Sequence, residues 1–240
     1  MAFHYSPKIN TDGLILYMDP ANANSYTGTP LAPFSGGWKD LSRNMNSGAL
    51  VGGFTYDSGS KSFNVITATS TTPAWISTNN ILSFSDTSEY SMEFTVKLRT
   101  NAEFSLHSLC GNGGTNPWVG ISGSPTNWRF FFRDASVGGQ YSYSDFITNY
   151  NISQKWVIIC YTVSTNRTIR FYINGVFITN PTPTPTTTLL DVSRLAGGYS
   201  SSGNNFPFQG SISNTRIYNR LLTDDEVFQN YNTTKSRFGL

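Results

Sequence analysis

Groups that could transform a substrate are scarce in this sequence. Its two histidines, His4 and His107, do not lie at the spacing of a His-Glu-x-x-His metal motif. The closest approach to a carboxylate pair is Glu89 with Glu93, and a glycosidase needs two carboxylates that flank the bond to be cleaved. The simpler interpretation is that Glu89 ends a loop and Glu93 faces solvent. No nucleophile elbow or phosphate-binding glycine loop is present, so we expect a protein that is not an enzyme.

Groups that could bind a saccharide are more frequent. Aromatic residues lie close to segments rich in Gly, Asn and Ser, at residues 111–116, 120–127 and 197–205. Aromatic rings stack on the apolar faces of sugars, while Asn and Ser form hydrogen bonds with hydroxyl groups. The candidate glycan-binding residues are Trp118, Tyr141, Tyr143, Tyr199, Asn204 and Asn205. The alternative is that most of these aromatic residues fill the core of a large β-domain.

Acidic residues next to turns could supply oxygen ligands to calcium. They are Asp19, Asp40, Asp57 and Asp191. None lies in an EF-hand or an aspartate repeat, so each is more simply an Asx turn or a cap. We expect no metal and no other cofactor, with structural calcium as the alternative.

Two cysteines, Cys110 and Cys160, have no second Cys or His at metal-ligand spacing. Cys160 lies in the apolar run 156–163, where a buried thiol is expected. The first twelve residues lack the apolar centre of a secretory signal peptide, so we expect synthesis in a reducing compartment and no disulfide.

The composition restricts the class of protein and its partners. Only 12% of the 240 residues are charged, about half of the roughly 25% that is typical of globular domains. No run of Lys or Arg could follow phosphates or an anionic bilayer, so neither nucleic acid nor membrane insertion is expected. A hydrophobic content of 38%, with 15% aromatic residues, suffices for a core and excludes intrinsic disorder.

The candidate binding residues must be positioned by short runs rich in Val, Ile, Phe, Tyr, Trp and Thr. Gly, Asn, Ser and Pro separate the runs, which is typical of a many-stranded β-domain. The strands are predicted at residues 14–18, 63–68, 90–98, 105–110, 118–122, 128–133, 140–146, 155–164, 168–173, 176–180, 193–197 and 210–219. We expect an all-β fold, a two-layer antiparallel β-sandwich with one short C-terminal helix.

Short sequence motifs predict a hairpin turn and the C-terminal helix. Asn174 and Gly175 both tolerate a positive φ, so they predict a type I′ hairpin turn between two strands. Thr223 and Glu226 have the spacing of a capping box and predict a helix over residues 224–232. Prolines at alternate positions of residues 181–185 predict an extended surface loop or a sheet edge that resists further pairing.

Three blocks of sequence resemble a known family. They comprise residues 6–22, residues 38–42, and a third block that joins 171–175 through 197–199 to 210–222. In this order and spacing they resemble the concanavalin A-like, laminin-G-like jelly-roll domain of tailed-bacteriophage virion proteins, over nearly the whole chain.

The resemblance implies several structural positions. Tyr17 and Ile217 would lie on terminal strands that are neighbours in one sheet. Trp38 would plug one end of the sandwich, and the last helix would close the other. Many relatives carry acidic residues near a possible cation site, whereas residues 68–77 here contain none, so calcium binding is not carried over.

The resemblance also implies a function and a setting. We expect a non-enzymatic virion structural protein, made in the host cytoplasm and displayed on the particle exterior as a capsid decoration or a tail or fibre component. Residues 1–12 would form an extended arm and residues 13–240 a single jelly-roll domain. Phe3, Tyr5 and Ile9 would attach the arm to a major capsid or tail protein by adding a strand to its edge.

Two other functions remain open at this stage, and the chain could also form a homo-oligomer. One is an adhesin that binds glycans on the host surface. The other, ranked last, is a glycoside hydrolase.

Overall fold

The computed structural model describes residues 8–27, 37–65, 74–99, 106–113, 118–124, 127–133, 143–148, 154–180, 188–197, 200–201, 204–205 and 208–240. Its strands are β1 (Leu14–Met18), β2 (Gly48–Val51), β3 (Phe54–Asp57), β4 (Ser62–Val65), β5 (Trp75–Phe84), β6 (Tyr90–Leu98), β7 (Leu106–Gly111), β8 (Trp118–Ser124), β9 (Asn127–Arg133), β10 (Tyr143–Thr148), β11 (Val157–Val163), β12 (Ile169–Ile173), β13 (Val176–Thr179), β14 (Leu190–Leu195), β15 (Ser200–Ser201), β16 (Asn204–Asn205) and β17 (Gly210–Tyr218). Helix α1 (Asp224–Thr234) follows, and a 3-10 turn (Lys235–Phe238) ends the fold.

The described strands form two antiparallel sheets. The eight-stranded sheet has the order β13-β12-β11-β6-β17-β4-β3, and β1 also pairs with β17. The seven-stranded sheet has the order β10-β9-β8-β7-β14-β5-β2, and β15 pairs with β16 in a separate small hairpin. This arrangement confirms the predicted all-β, two-layer antiparallel sandwich.

The first and last strands are neighbours, as the resemblance implied. Leu16 lies opposite Ile217, and Tyr17 lies opposite Arg216. The other end of β17 pairs with β4 on the same side, through Ser211 and Ile212. Strand β17 is therefore held by β6 along one side and by β1 and β4 along the other.

Side chains from both sheets meet in one hydrophobic core. Phe130 of the seven-stranded sheet and Phe171 of the eight-stranded sheet are fully buried, with ring centroids 4.7 Å apart. Trp38 is also fully buried in this core, where its ring lies 5.0 Å from that of Phe63. Burial of such aromatic side chains is the main source of folding free energy in a sandwich of this kind.

The predicted hairpin is confirmed. Asn174 and Gly175 connect β12 to β13 with φ values of 51° and 78°, both in the left-handed region. A side chain at position 175 would meet Tyr231 of α1, because a Cβ there would lie 2.8 Å from the Tyr231 Cβ. Glycine therefore serves both the turn and the close approach of the helix.

The predicted helix is confirmed, but it lies elsewhere than the resemblance implied. The Thr223 hydroxyl caps the Glu226 N–H, and the Glu226 carboxylate accepts a hydrogen bond from the Thr223 N–H. The helix covers the outer face of the eight-stranded sheet instead of closing an end of the sandwich. Its contacts there form a second, smaller buried cluster of Cys160, Tyr172, Tyr218, Leu222 and Val227. None of the helices in the described parts of the chain is long and apolar enough to cross a membrane.

Strands β2, β3, β5, β15 and β16 are absent from the sequence prediction, and β14 begins at Leu190, three residues before its predicted start. Strand β5 has an irregular pattern because its pairing with β14 shifts. Ser77 pairs with Arg194 and Leu82 pairs with Val192. Four residues of β5, Thr78–Ile81, therefore lie opposite a single residue of β14, Ser193. The extra residues expose polar Asn79 and Asn80 in mid-strand and interrupt the alternation on which the prediction depends. The predicted loop or edge at residues 181–185 lies outside the described residues.

Both cysteines are buried free thiols, which confirms that they do not form a disulfide. Cys110 lies in the main core and Cys160 in the cluster under α1. Burial raises the pKa of both thiols far above the ordinary value, so they remain protonated and unreactive.

Candidate functional site

A groove crosses the outer face of the seven-stranded sheet, over the four neighbouring strands β7, β14, β5 and β2. It encloses about 620 Å³, a volume in the range of small-molecule sites. The residues that line it are Ala49, Val51, Trp75, Ser77, Thr78, Asn79, Asn112, Ser193 and Arg194. We call it the Trp75–Arg194 groove.

The floor of the groove follows from the register of these strands. Ala49, Ser77, Arg194 and Gly111 lie side by side on β2, β5, β14 and β7. Adjacent strands are about 4.8 Å apart, and three of these four side chains are small. Such a row leaves a low strip across the sheet beside the one long side chain, Arg194.

One wall is formed where β5 departs from regular pairing. The Asn79 backbone N–H donates to the Ser47 carbonyl at 2.9 Å, and the Asn80 amide nitrogen donates to Asn46 Oδ1 at 2.9 Å. These bonds hold the extra residues in place, so Asn79 is exposed on a fixed segment next to the floor.

The other wall is a stacked pair. The guanidinium carbon of Arg194 lies 4.2 Å from the centre of the Trp75 ring, and both side chains are half-buried. Trp75 and Arg194 are diagonal neighbours on adjacent strands, a spacing that long and aromatic side chains can span. Gly113 leaves room for the guanidinium, because a Cβ at that position would lie 2.3 Å from Arg194 Cζ.

The groove has a distinct electrostatic character. None of its lining residues is acidic, and Arg194 forms neither a hydrogen bond nor an ion pair with any residue that the structure describes. Partial burial lowers the pKa of Arg194, although an arginine stays charged at neutral pH. The arrangement offers one cation, a flat aromatic surface, amides and hydroxyls, a combination suited to a polar ligand with many hydroxyl groups.

Of the sequence-predicted glycan residues, Trp118 is the one whose side chain the structure describes, and it does not line this groove. Trp118 is fully buried, with its ring 4.8 Å from that of Phe131, so the prediction that it contacts a surface glycan is wrong. Tyr143 begins β10 opposite Arg133, and Asn204 and Asn205 form the short strand β16. Tyr141 and Tyr199 lie outside the described residues. Trp75, which the sequence analysis missed, has one local signal: Trp75, Ser77 and Asn79 alternate with the buried residues Ile76 and Thr78.

The structure describes the end of the predicted N-terminal arm, which includes the predicted attachment residue Ile9. Asn10 is held to the C-terminal part of the domain by four hydrogen bonds. Its N–H donates to Asn230 Oδ1 at 2.9 Å, and its side-chain amide donates to the Glu226 carboxylate. Arg220 donates to its Oδ1 at 3.0 Å, and Tyr218 donates to its carbonyl at 3.1 Å. Ile9 is half-buried beside a cavity of about 200 Å³ under α1, so in this structure it packs on its own domain.

This part of the predicted arm is therefore not a free segment. Phe3 and Tyr5, the other two predicted attachment residues, lie outside the described residues.

The expectation that Glu93 faces solvent is wrong. Its side chain is 2% exposed and forms an ion pair with Arg216, which is equally buried. Arg216 Nη2 also donates to Thr234 Oγ1 of α1 at 2.9 Å. Burial raises the pKa of the Glu93 carboxyl, and Arg216 opposes that shift. Glu89 is exposed just before β6, so the two carboxylates do not form an accessible acid/base pair.

The turn interpretation of the aspartates is confirmed at three positions. Asp19, Asp40 and Asp57 each accept a hydrogen bond from the backbone N–H two residues later, at 2.8–3.0 Å. Asp191 lies instead within β14. In the parts of the chain that the structure describes, no group of three or more His, Cys, Asp or Glu residues is arranged to hold a metal ion.

Solved structures with a similar fold include two kinds of binding domain. The binding domain of botulinum neurotoxin DC in complex with SialylT has a TM-score of 0.63 at 14% identity, over 93% of this chain and 52% of the toxin chain. Domain 4 of AbnA, a GH43 extracellular arabinanase from Geobacillus stearothermophilus, in complex with arabinotriose, has a TM-score of 0.59 at 17% identity, over 92% of this chain and all of that domain. The chain thus spans about half the length of the toxin fragments, and these likenesses establish its fold.

Sequence comparison establishes its family. No curated protein matches the sequence. Residues 69–228, two thirds of the chain, match the laminin G model described as the concanavalin A-like lectin/glucanases superfamily. The chain therefore belongs to the concanavalin A-like lectin/glucanases superfamily.

Proposed function

We propose that this chain is a non-catalytic saccharide-binding domain whose ligand lies in the Trp75–Arg194 groove. The observation that carries the proposal is the groove itself, a stacked Trp–Arg wall beside a floor of small residues and a polar wall. The arabinanase domain in complex with arabinotriose and the neurotoxin domain in complex with SialylT share this fold, and those complexes are consistent with a saccharide ligand.

The chemistry of the groove favours binding over hydrolysis. Hydrolysis of a glycosidic bond requires a carboxylic acid and a carboxylate on either side of it, and none of the described residues that line the groove is acidic. The deeply buried Glu93 lies on the other sheet and is occupied by Arg216.

The groove would hold a sugar by two kinds of contact. Hydroxyl groups would form hydrogen bonds with Asn79, Asn112 and Ser77, while the ring would lie against the flat wall of Trp75 and Arg194. Weak, multipoint binding of this type depends on each wall, so loss of one should be measurable.

Calorimetric titration of the full chain with a panel of neutral and acidic oligosaccharides tests the proposal. Trp75→Ala removes one wall and Ser77→Tyr fills the floor, and each should weaken binding at least tenfold. Phe228→Ala is the matched control because it removes an aromatic ring that is 50% exposed on α1, away from the groove. Binding that survives both groove variants, or release of new reducing ends from the oligosaccharides, would contradict the proposal.

We further propose that the domain is displayed on the exterior of a tailed-phage particle, as a capsid decoration or a tail or fibre component made in the host cytoplasm. Support comes from the resemblance of residues 6–22, 38–42 and 210–222 and from the low content of charged residues. Partners would be major capsid or tail proteins, and in an adhesin the groove would bind a glycan of the host surface.

Mass spectrometry and antibody labelling of purified particles test this setting. Label on the head would indicate a decoration protein, and label at the tail tip would indicate an adhesin. Absence of the chain from intact particles would contradict the proposal. Attachment through the arm is tested by deletion of residues 1–7. The deletion should not include Asn10, because its removal would also break hydrogen bonds to Asn230 and Arg220.

A further inference from the structure

The proposed saccharide site contains a cation that a neutral sugar does not require. We propose that the Trp75–Arg194 groove selects anionic saccharides, with a carboxylate or sulfate group of the sugar bound to Arg194. This inference rests on the proposed function of the groove and adds the chemical class of its ligand.

Arg194 has no acidic partner among the described residues, in contrast to four arginines of the eight-stranded sheet and the C-terminal segment. Arg170 pairs with Asp224 at 2.6 Å, Arg220 with Glu226 at 2.7 Å, and Arg237 with Asp19 at 2.7 Å. Arg216 pairs with Glu93. The described part of the domain supplies carboxylates to these four arginines and none to Arg194, so the positive charge in the groove is left for an external anion.

The surroundings of Arg194 would strengthen such a contact. The side chain is half-buried, and the groove residues that the structure describes include no acidic side chain to compete for it. Hydrogen bonds between an arginine and an anion are stronger where water is partly excluded.

The stacked geometry suits an anion with two oxygens. The Trp75 ring centre lies 4.2 Å from the guanidinium carbon and restricts its position, and the absence of a side chain at Gly113 leaves room for the group. The N–H donors of a guanidinium lie in its plane, so stacking leaves them usable for a bidentate contact. The exposed amide of Asn79 would then bind a hydroxyl group of the same sugar.

Uronic acids and sulfated sugars share this chemistry. Three ligands separate them: hexagalacturonate, its fully methyl-esterified form as the neutral match, and a sulfated dextran oligosaccharide. Calorimetry on the full chain compares wild type with Arg194→Met, which keeps an unbranched side chain against Trp75 but removes the charge. Arg43→Met is the matched control, because Arg43 is an exposed arginine outside the groove and the change in net charge is the same.

We expect wild type to bind at least one anionic ligand tenfold or more tightly than the ester. This preference should fall to about onefold in Arg194→Met and persist in Arg43→Met. Raising the salt concentration should weaken binding of the anionic ligand and leave binding of the ester unchanged. Binding of the sulfated ligand alone, lost in Arg194→Met, would support the contact and assign it to sulfate.

Failure of this inference differs from failure of the proposed function. Equal affinity for the acid and the ester, unchanged in Arg194→Met but lost in Trp75→Ala, would overturn anion selection and leave the groove as a neutral-sugar site. Anion binding that Arg194→Met leaves intact would also overturn it. Binding unaffected by Trp75→Ala and Ser77→Tyr, or no binding of any saccharide, would overturn both proposals.

Discussion

Arg216 and Arg194 both project from the outer face of a sheet, but only Arg216 is covered. Arg216 lies under α1, 2% exposed, where it pairs with Glu93 and donates to Thr234 of the helix. Arg194 lies in an open groove, stacked on Trp75 and free of acidic partners in the described structure.

The difference assigns separate tasks to the two faces. On the eight-stranded sheet the buried polar groups join strands to the C-terminal helix, so they bear on stability. In the groove on the seven-stranded sheet, Ser77, Asn79 and Arg194 are half-buried or exposed, so they contribute less to stability and are available to a ligand. Equivalent substitutions on the two faces should therefore have very different effects.

The largest effect is expected at the buried pair. Arg216→Met should lower the free energy of unfolding by about 3–5 kcal/mol, because it leaves the Glu93 carboxylate buried without a counterion. Urea denaturation of the purified protein measures this value. The double variant Arg216→Met/Glu93→Leu should regain much of the loss, and a single variant as stable as wild type would show that the pair does not hold this face together.

A smaller loss is expected at the start of the helix that covers this face. Thr223→Ala removes the N-cap hydroxyl and should cost about 1 kcal/mol, since the Glu226 N–H loses its acceptor. Thr223→Ser keeps the hydroxyl and serves as the control in the same denaturation experiment. If both variants matched wild type, the capping box would not contribute to anchoring α1.

The covered face should also respond to acid. Hydrogen bonds from Arg220 lower the pKa of Glu226 to about 2, below its ordinary value of 4.5. The stability that this carboxylate contributes is therefore complete above pH 4.5 and is lost as the pH falls from about 4.5 towards 2. Thermal melts between pH 6 and 2.5 should show a steeper decline for wild type than for Glu226→Gln, and parallel curves would rule out this contribution.

The smallest effect on stability is expected in the groove. Arg194→Met, the same chemical change as at Arg216, should alter the free energy of unfolding by less than about 0.5 kcal/mol, because the side chain has no ion pair to lose. Urea denaturation of the two variants side by side gives the comparison directly. A loss near that of Arg216→Met would mean that Arg194 is structural and would remove the contrast between the two faces.

Much of the fold could be predicted because its signals are local. The turn at Asn174 and Gly175 needs two residues with positive φ, and the cap at Thr223 needs one partner three residues away. Strand β5 escaped prediction because the extra residues around Asn79 and Asn80 break its alternation.

The candidate site depended on the strands that were missed. Most of its lining residues lie on β2, β5 and the early-starting β14. Trp118 was predicted from the rule that an aromatic residue near glycines lies in a binding loop, but it is fully buried, with its ring 4.8 Å from that of Phe131.

The sequence by itself determined the class of fold, the hairpin and the capped helix, because each depends on residue types a few positions apart. Only the tertiary structure decided which charged residues are sealed and which remain open. Glu93 and Arg216, like Trp75 and Arg194, come from strands far apart in the sequence, and the register between those strands sets which side chains meet. Whether a charge is then buried depends on what packs over the sheet, and α1 covers only one of the two faces.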